Sequence, residues 1–242
     1  MADLIYRKVL HDLKDRIQND QFKNQRLPDE RSLSEHYGVS RSSIKRALSV
    51  LANQGIIFKK RGSGTFINPL YRKNDSIFHY EGSNLGITDS FKSDNQTPSI
   101  KLLNFSVVPA TEELQQELFL EPGDFVYDIK RLRLFDDQPF MIEQGYIPIK
   151  IAPELSAKIV SESIFNYLEE QQGKVVTKSF MSIQAAPSTD EDQKLLNLKP
   201  IEPVGLMEGI FFLDDGTPFE VSNMRLHYKY LQYNTFVSLD EE

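Results

Sequence analysis

Hydrophobic positions near the start of the chain have the spacing of packed helices. Apolar residues recur every fourth position between charged ones, which predicts a first helix over residues 4–19. After a polar loop, Pro28 and Asp29 open a second, short helix, because proline and a capping carboxylate favour a helix start. Gly38 closes that helix. The pattern therefore predicts two helices within the first 38 residues.

A third helix follows after only a Val-Ser step. Ser40 is a good N-cap, and Ile44, Leu48 and Leu51 form one apolar stripe that ends before Gly55. The opposite face carries hydroxyls and cations, namely Arg41, Ser42, Ser43, Lys45 and Arg46. Such a helix suits insertion into a DNA major groove, so the second and third helices read as a helix-turn-helix. The alternative is an ordinary solvated basic helix.

A short basic hairpin is predicted directly after the third helix. Residues 56–58 and 65–67 read as strands, and the glycine turn between them carries cations at residues 59–61. Three helices and such a hairpin make a winged helix-turn-helix, whose wing could lie along phosphates or enter the minor groove. Taken by itself, the turn could equally be a solvated hairpin.

The rest of the chain contains a duplicated pattern. Residues 68–76 read as a polar linker and residues 81–99 as a polar loop, and from residue 100 a strand, a short helix and a hairpin occur twice, about 78 residues apart. A duplicated β-α-β-β unit predicts a mostly antiparallel sheet with flanking helices, an α+β domain. Between the two copies, residues 153–172 read as helical and end at Gly173.

Composition and charge limit the possible partners. Residues 1–70 carry 13 Lys and Arg against 7 Asp and Glu, whereas residues 71–242 carry 15 against 28. A basic head on an acidic body is expected when only one domain touches a polyanion. No signal peptide or membrane-spanning run is evident, so we expect a cytoplasmic protein without a membrane partner. The chain has no cysteine and its four histidines are scattered, so no metal site and no cofactor are expected.

Two arginines are the candidate ligand-binding residues in the second half of the chain. Arg131 and Arg133 alternate along a predicted strand and therefore point to one face. They could bind an anionic ligand, or they could be surface arginines paired with acids such as Glu143 or Asp128. No catalytic motif emerges from the sequence, so no catalytic residues are assigned.

The first 70 residues contain motifs that resemble the DNA-binding domain of the GntR family. They are Arg26-Leu27-Pro28-Asp29-Glu30-Arg31, Gly38 to Leu48, Gly55-Ile56-Ile57 and Arg61 to Phe66. The resemblance implies operator contacts from Arg31, Ser40, Arg41, Ser42, Ser43 and Lys45, and a minor-groove wing from Gly62 to Thr65. The DNA contacts expected in that region are Arg61, Gly62, Ser63 and Gly64. Lys45 stands where the family often has arginine.

The second half resembles the UTRA effector-binding domain of HutC-type GntR regulators, whose fold is similar to chorismate lyase. The residues that carry the resemblance are Arg131 to Leu134, Asp136 to Pro139, Ile142 to Pro148, Ser163 to Phe165 and Asp215 to Glu220. It implies an effector pocket formed by Thr88, Asp89, Ser90, Phe91, Arg131, Arg133, Glu143, Ser163, Phe165 and Glu220.

Together the two resemblances imply a homodimeric repressor in three parts. These are a winged helix-turn-helix over residues 1–68, a linker over 69–80, and a UTRA domain for effector binding and dimerisation over 81–242. The expected partners are double-stranded operator DNA and a small phosphorylated sugar that releases it. The alternative is an enzyme of lyase-like fold carrying a DNA-binding head, which rests on fold analogy.

Overall fold

The computed structural model describes residues 2–72, 79–80 and 98–233. The chain divides into two compact units, one formed mainly by residues up to 76 and the other mainly by residues 84–232. The linker predicted at 69–80 stays a prediction, because half of it (residues 73–78) lies outside the described residues. In the part of the chain that the structure describes, no helix is long and apolar enough to cross a membrane.

The N-terminal unit is a three-helix bundle followed by a hairpin. Its elements are α1 (Ala2–Gln18), α2 (Glu30–Tyr37), α3 (Arg41–Asn53), β1 (Ile57–Lys60) and β2 (Gly64–Ile67). The strands pair antiparallel, with Ile57 opposite Ile67 and Lys60 opposite Gly64. Apolar side chains from all three helices and both strands form one core, which includes Leu13, Leu33 and Leu48.

Side-chain caps set the helix boundaries of this unit. The Asp29 carboxylate accepts from the backbone N–H groups of Arg31 and Ser32, and the Ser40 hydroxyl accepts from that of Ser43. Gly38 adopts a left-handed conformation (φ 62°), which ends α2 at the position expected from the sequence. The predicted helix-turn-helix and its hairpin are therefore confirmed.

The segment read as a linker begins with regular structure. A single helical turn, α4 (Pro69–Arg72), follows the hairpin directly, and the Asn68 side chain accepts from the backbone N–H of Leu70 at its start. The polar segment that the sequence predicts as a linker therefore starts with one helical turn.

The C-terminal unit is an α+β domain built on one antiparallel sheet. Its elements are β4 (Pro98–Pro109), α5 (Glu112–Leu118), β5 (Phe125–Phe135), β6 (Gln138–Pro148), α6 (Ala157–Val160), α7 (Ile164–Tyr167), β7 (Val176–Pro187), α8 (Asp190–Leu196), β8 (Pro203–Leu213) and β9 (Pro218–His227). The order of this sheet is β4-β5-β6-β9-β8-β7, and the two-residue strands β3 (His79–Tyr80) and β10 (Gln232–Tyr233) pair in a separate ladder. The predicted fold class is confirmed.

The sheet order reflects the duplication seen in the sequence. Each copy contributes a strand, a helix and a hairpin, first as β4-α5-β5-β6 and then as β7-α8-β8-β9. The two copies join through their last strands, β6 and β9, which pair antiparallel with Gly145 opposite Ser222. The sheet therefore has an approximate two-fold axis between β6 and β9.

The two faces of this sheet differ in character. On one face, α5 and α8 pack over apolar clusters that include Val126 and Leu132 of β5. The segment around α6 and α7 contacts the other face, because Phe165 packs edge-to-face on Phe211 and Phe219. The alternation of β5 sends Arg131 and Arg133 to this second face.

The helix predicted over residues 153–172 is interrupted. Helix α6 starts after Ser156, the chain turns at Ser161, and Ser163 caps α7, which continues as a wider turn to residue 172. Gly173 ends it in a left-handed conformation (φ 64°), as expected. The prediction of a helix over this whole range was wrong, because Ser156 and Ser163 each cap a separate helix start. Their hydroxyls accept from the backbone N–H groups of Ile159 and Asn166, respectively.

Candidate functional site

The N-terminal end of α3 carries a cluster of hydroxyl groups. The Ser40 Oγ lies 2.8 Å from that of Ser42 and 2.9 Å from that of Ser43. Arg41 and Lys45 are exposed beside them. Amide groups and hydroxyls at a helix N-terminus, flanked by cations, can bind phosphate and reach base edges.

One exposed cation of this helix also contacts the first helix. The Arg46 guanidinium lies over the Tyr6 ring of α1, 4.1 Å from its centroid. The side chain therefore packs on the first helix, as a cation–π contact.

Two further cations of this unit lie beside acidic residues. The Arg31 Nε lies 3.0 Å from the Glu35 carboxylate one turn along α2, and both side chains are highly exposed. The Lys59 Nζ lies 3.4 Å from Glu30, which links β1 to the start of α2. Exposed ion pairs of this kind contribute little to stability, so both cations can exchange carboxylate for phosphate at small cost.

The wing tip is formed by Arg61, Gly62 and Ser63, with Gly64 opening the return strand. Gly62 and Gly64 have positive φ (73° and 116°), conformations that side chains disfavour. A Cβ at Gly64 would lie 3.0 Å from the guanidinium of Arg26. Arg26 also bridges to Phe66 by backbone pairing, so the loop before α2 packs on the hairpin. The sequence interpretation missed this role of Arg26, because a single bridge leaves no periodic signal.

A buried ion cluster lies on the second face of the large sheet. One oxygen of Glu143 on β6, Oε2, is 2.8 Å from Arg131 Nη2 and 2.9 Å from Arg133 Nε on β5. All three side chains are almost fully buried. Arg131 and Arg133 do pair with Glu143, as one sequence interpretation held, but the surface location of that interpretation was wrong. The Asp128 carboxylate instead accepts from the Gln144 side chain.

Arg131 also donates hydrogen bonds to the α6–α7 segment, which crosses this face of the sheet. Its Nη1 donates to the carbonyls of Val160 (3.2 Å) and Glu162 (3.3 Å), at the break between α6 and α7. Its Nε is buried and has no partner among the described residues. Burial lowers the pKa of Arg131, and Glu143 counteracts that effect. Burial also acts on Glu143, but the two arginines outweigh it and hold the pKa of Glu143 below its usual value.

Glu220 joins the same cluster from the second copy of the repeat. It lies on β9 and is buried, and a Cβ at Gly145 would lie only 2.5 Å from its Oε1. Glycine at position 145 therefore leaves the space that this carboxyl occupies. Burial and the neighbouring Glu143 raise the pKa of Glu220 to about 8, although both arginines oppose the shift.

The remaining expected effector residues have separate surroundings. The Ser163 hydroxyl caps α7 by accepting from the backbone N–H of Asn166, and a cavity of about 550 Å³ beside it is lined in part by Glu162 and Tyr167. Phe165 is half-buried and packs edge-to-face on Phe211 and Phe219. Thr88, Asp89, Ser90 and Phe91 lie outside the described residues. The structure thus brings Arg131, Arg133, Glu143 and Glu220 together.

Ser222 was missed by the sequence interpretation. It follows Glu220 by two residues on β9, so both side chains are on the same face of the sheet. Its Oγ is fully buried and unpartnered in the described ranges. The signal was the Glu-x-Ser alternation, which places two polar side chains on the same face of β9.

Comparison with known families matches both halves of the chain. Residues 5–67 match the model of bacterial regulatory proteins of the gntR family, and residues 93–232 match the UTRA domain. The chain is 32% identical over 221 residues to the HTH-type transcriptional regulator GmuR of Bacillus subtilis, covering 91% of this chain and 92% of that protein.

A second relative is the mannosyl-D-glycerate transport/metabolism system repressor MngR of Escherichia coli. It is 29% identical, with 90% of this chain and 89% of that protein covered. The crystal structure of the possible transcriptional regulator YydK of Bacillus subtilis superposes with a TM-score of 0.77 at 26% identity, covering 97% of this chain and 99% of that one.

These families and relatives are transcriptional regulators and not enzymes, so the alternative of a lyase-like enzyme is not supported. A gntR-type DNA-binding domain and a UTRA domain together imply binding of DNA and of a small-molecule effector. The chain belongs to the GntR family of transcriptional regulators and carries a UTRA domain.

Proposed function

We propose that the protein is a homodimeric, HutC-type repressor that a small phosphorylated sugar releases from its operator. The DNA-binding domain would span residues 1–68, and the domain for effector binding and dimerisation residues 81–242. The name of the relative MngR, a repressor of a mannosyl-D-glycerate transport/metabolism system, supports both the repressor role and a sugar-related effector.

Operator contacts are assigned to two exposed surfaces of the N-terminal unit. The first combines the hydroxyl cluster of α3, formed by Ser40, Ser42 and Ser43, with its exposed cations and Arg31 of α2. The second is the wing from Arg61 to Gly64. Hydroxyls and cations at the start of a recognition helix contact phosphates and base edges, and a basic wing adds phosphate contacts.

The buried Arg131–Glu143–Arg133 cluster is the observation that carries the effector proposal. Two guanidiniums converge on one carboxylate oxygen, so two cations lie side by side in one buried site. The unpartnered Arg131 Nε provides a further donor. Guanidiniums in a desolvated site bind phosphate strongly. Ser163, Phe165 and the loop residues Thr88, Asp89, Ser90 and Phe91 are assigned to the same site.

The proposed switch uses the contact between Arg131 and the α6–α7 break. If a phosphoryl group takes hydrogen bonds from this guanidinium, the carbonyls of Val160 and Glu162 lose their donor and the segment shifts. A coupling of about 1–3 kcal/mol between effector and operator binding is enough for induction.

A screen with hexose phosphates tests the function directly. A sugar phosphate at 100-fold its Kd should stabilise the protein by about 2.7 kcal/mol in a thermal shift assay, and the same compound should release operator DNA in a gel-shift assay. The matching unphosphorylated sugar should do neither. A phosphorylated sugar that is turned over, or a panel without any effect, would contradict the proposal.

Arg133→Lys tests the cluster while keeping its charge. Lysine cannot make the planar two-pronged contact of arginine, so this variant should need at least about tenfold more effector for operator release. Its operator affinity without effector should stay at the wild-type value. Lys130→Met is the matched control, because Lys130 is next to the pair on β5 but binds Glu191 instead. An unchanged effector response in Arg133→Lys would make the arginine pair structural.

A further inference from the structure

The effector cluster contains four ionisable side chains that are almost fully removed from water. Arg131, Arg133, Glu143 and Glu220 are 4%, 6%, 4% and 2% exposed, respectively. Two cations and two carboxyls would balance if all four were charged. The ion pairs do not follow that balance, because both guanidiniums bind the same oxygen of Glu143 and neither binds Glu220.

The position of Glu220 explains why it takes no part in the ion pairs. Its carboxyl occupies the space above Gly145 on the neighbouring strand, and its own strand partner on β8 is Phe211. Phe165 of α7 packs on that phenylalanine, so the second layer here is apolar. The charged groups that act on Glu220 are Glu143 from β6 and the two arginines from β5.

A second charged carboxylate in this position would be costly. It would lie in a desolvated site beside Glu143, and like charges in such a site disfavour each other's ionisation. Its protonated form avoids both the desolvation cost and the repulsion, and gains an O–H donor.

We propose that Glu220 carries a proton in the ligand-free site and that an anionic effector binds only while this proton is present. With a neutral Glu220, Glu143 is the one ionised carboxylate among these four side chains, and a phosphoryl group can approach the guanidiniums. With an ionised Glu220, the arriving anion meets a second adjacent negative charge, which repels it. This inference rests on the proposed function, because it concerns the same effector site.

The expected pH dependence follows from the sign of the shift. The pKa of Glu220 is raised to about 8 by burial and by Glu143, so the proton is bound at neutral pH and lost above that value. Anion affinity should therefore be constant between about pH 7 and 8, where the charge of the ligand is also constant, and should fall up to tenfold per pH unit above about pH 8. A sugar phosphate has completed its second ionisation by then, since its pKa is about 6.

The test combines a readout without ligand and a readout with ligand. Infrared difference spectra of the full-length protein should contain a protonated carboxyl C=O band that disappears as the pH rises through about 8 and is absent in Glu220→Gln. Calorimetric titration with glucose 6-phosphate should give a falling affinity above about pH 8 for wild type. For Glu220→Gln the affinity, whatever its absolute value, should stay constant across the same range.

Glu208→Gln is the matched control for these measurements. Glu208 is exposed on β8, so this variant should keep both the infrared band and the wild-type pH profile of binding. A missing band in ligand-free wild type would overturn the proton on Glu220, whether or not any sugar phosphate binds. Two results would overturn the coupling between the Glu220 proton and anion binding. One is a wild-type affinity that does not fall above about pH 8, and the other is no binding of either glucose 6-phosphate or sulfate at neutral pH.

Discussion

Arg41 is the exposed cation at the first position of α3, directly after the Ser40 cap. If it reads a base edge, Arg41→Ala should weaken binding to the specific operator by about 1–3 kcal/mol and reduce the preference over random DNA. Fluorescence anisotropy with both DNA types measures the two effects. The protein should keep its thermal stability, because the side chain is exposed.

Lys59→Ala provides the comparison within the same domain. Lys59 lies on the first strand of the wing, where it can contact a phosphate. Its loss should weaken the binding of specific and random DNA alike and should reduce the slope of log affinity against log salt concentration by about one. Equal losses on both DNA types for the two variants would contradict the assignment of Arg41 to base reading.

The two arginines of β5 illustrate what could be predicted for single residues. Alternation along a strand placed both on one face, and their pairing with Glu143 was among the sequence alternatives. Their burial could not be predicted, because it depends on the α6–α7 segment that crosses the face and accepts from Arg131. The position of Glu220 depended on Gly145 of another strand, which is likewise a matter of tertiary packing.

The helices α5 and α8 are equivalent elements of the two copies, but they are capped differently. Thr111 caps α5 through a single bond from the Leu114 N–H. Thr189 and Asp192 form a reciprocal capping box at α8, and Asp192 also accepts from Arg225 of β9 through two nitrogens at 2.7 Å. The second helix is therefore fixed to the sheet by a charged contact.

Asp192→Ala should destabilise the C-terminal unit by about 2–4 kcal/mol, because it leaves Arg225 and the helix N–H groups without their acceptor. Burial opposes the ionisation of Asp192, but Arg225 and Thr189 outweigh it and lower its pKa. The stabilisation is thus present above the unfolded pKa of about 4 and is lost as the pH falls through the lower folded value. Denaturant unfolding across this pH range measures both effects.

Thr111→Ala is the control in the first copy, where Thr111 is the cap equivalent to Thr189. Its cost should be about 1 kcal/mol and independent of pH, since only a neutral cap is lost. Equal costs for the two variants would indicate that the contact between Asp192 and Arg225 adds no stability.

At the level of elements, most boundaries followed from local signals. Capping residues and glycines fixed α2 and α3, and the repeated pattern located both helix-hairpin units. The error at residues 153–172 arose because the apolar spacing remains helical through the break, whereas the serine caps at 156 and 163 divide it. Caps inside an apolar pattern were the available signal.

For the whole molecule, we expect a two-fold dimer on a near-palindromic operator. One recognition helix reads only a few base pairs, and a second copy doubles the sequence that is read. Sedimentation should give a dimer in solution, and a full palindrome should bind much more tightly than an isolated half-site. A monomer that binds one half-site with the full affinity would contradict this expectation.

The duplicated sheet has a consequence for how its two halves diverged. The approximate two-fold axis relates Arg131 to Gly209 and Glu143 to Ser222, so the long charged residues of one copy correspond to small residues in the other. Faithful copies of the charged pair could not coexist on this backbone, because a Cβ at Gly209 would lie 2.0 Å from the Phe180 carbonyl oxygen. Loss of sequence symmetry between the copies was thus a geometric requirement for a site at their junction, and related chains should vary together at these paired positions.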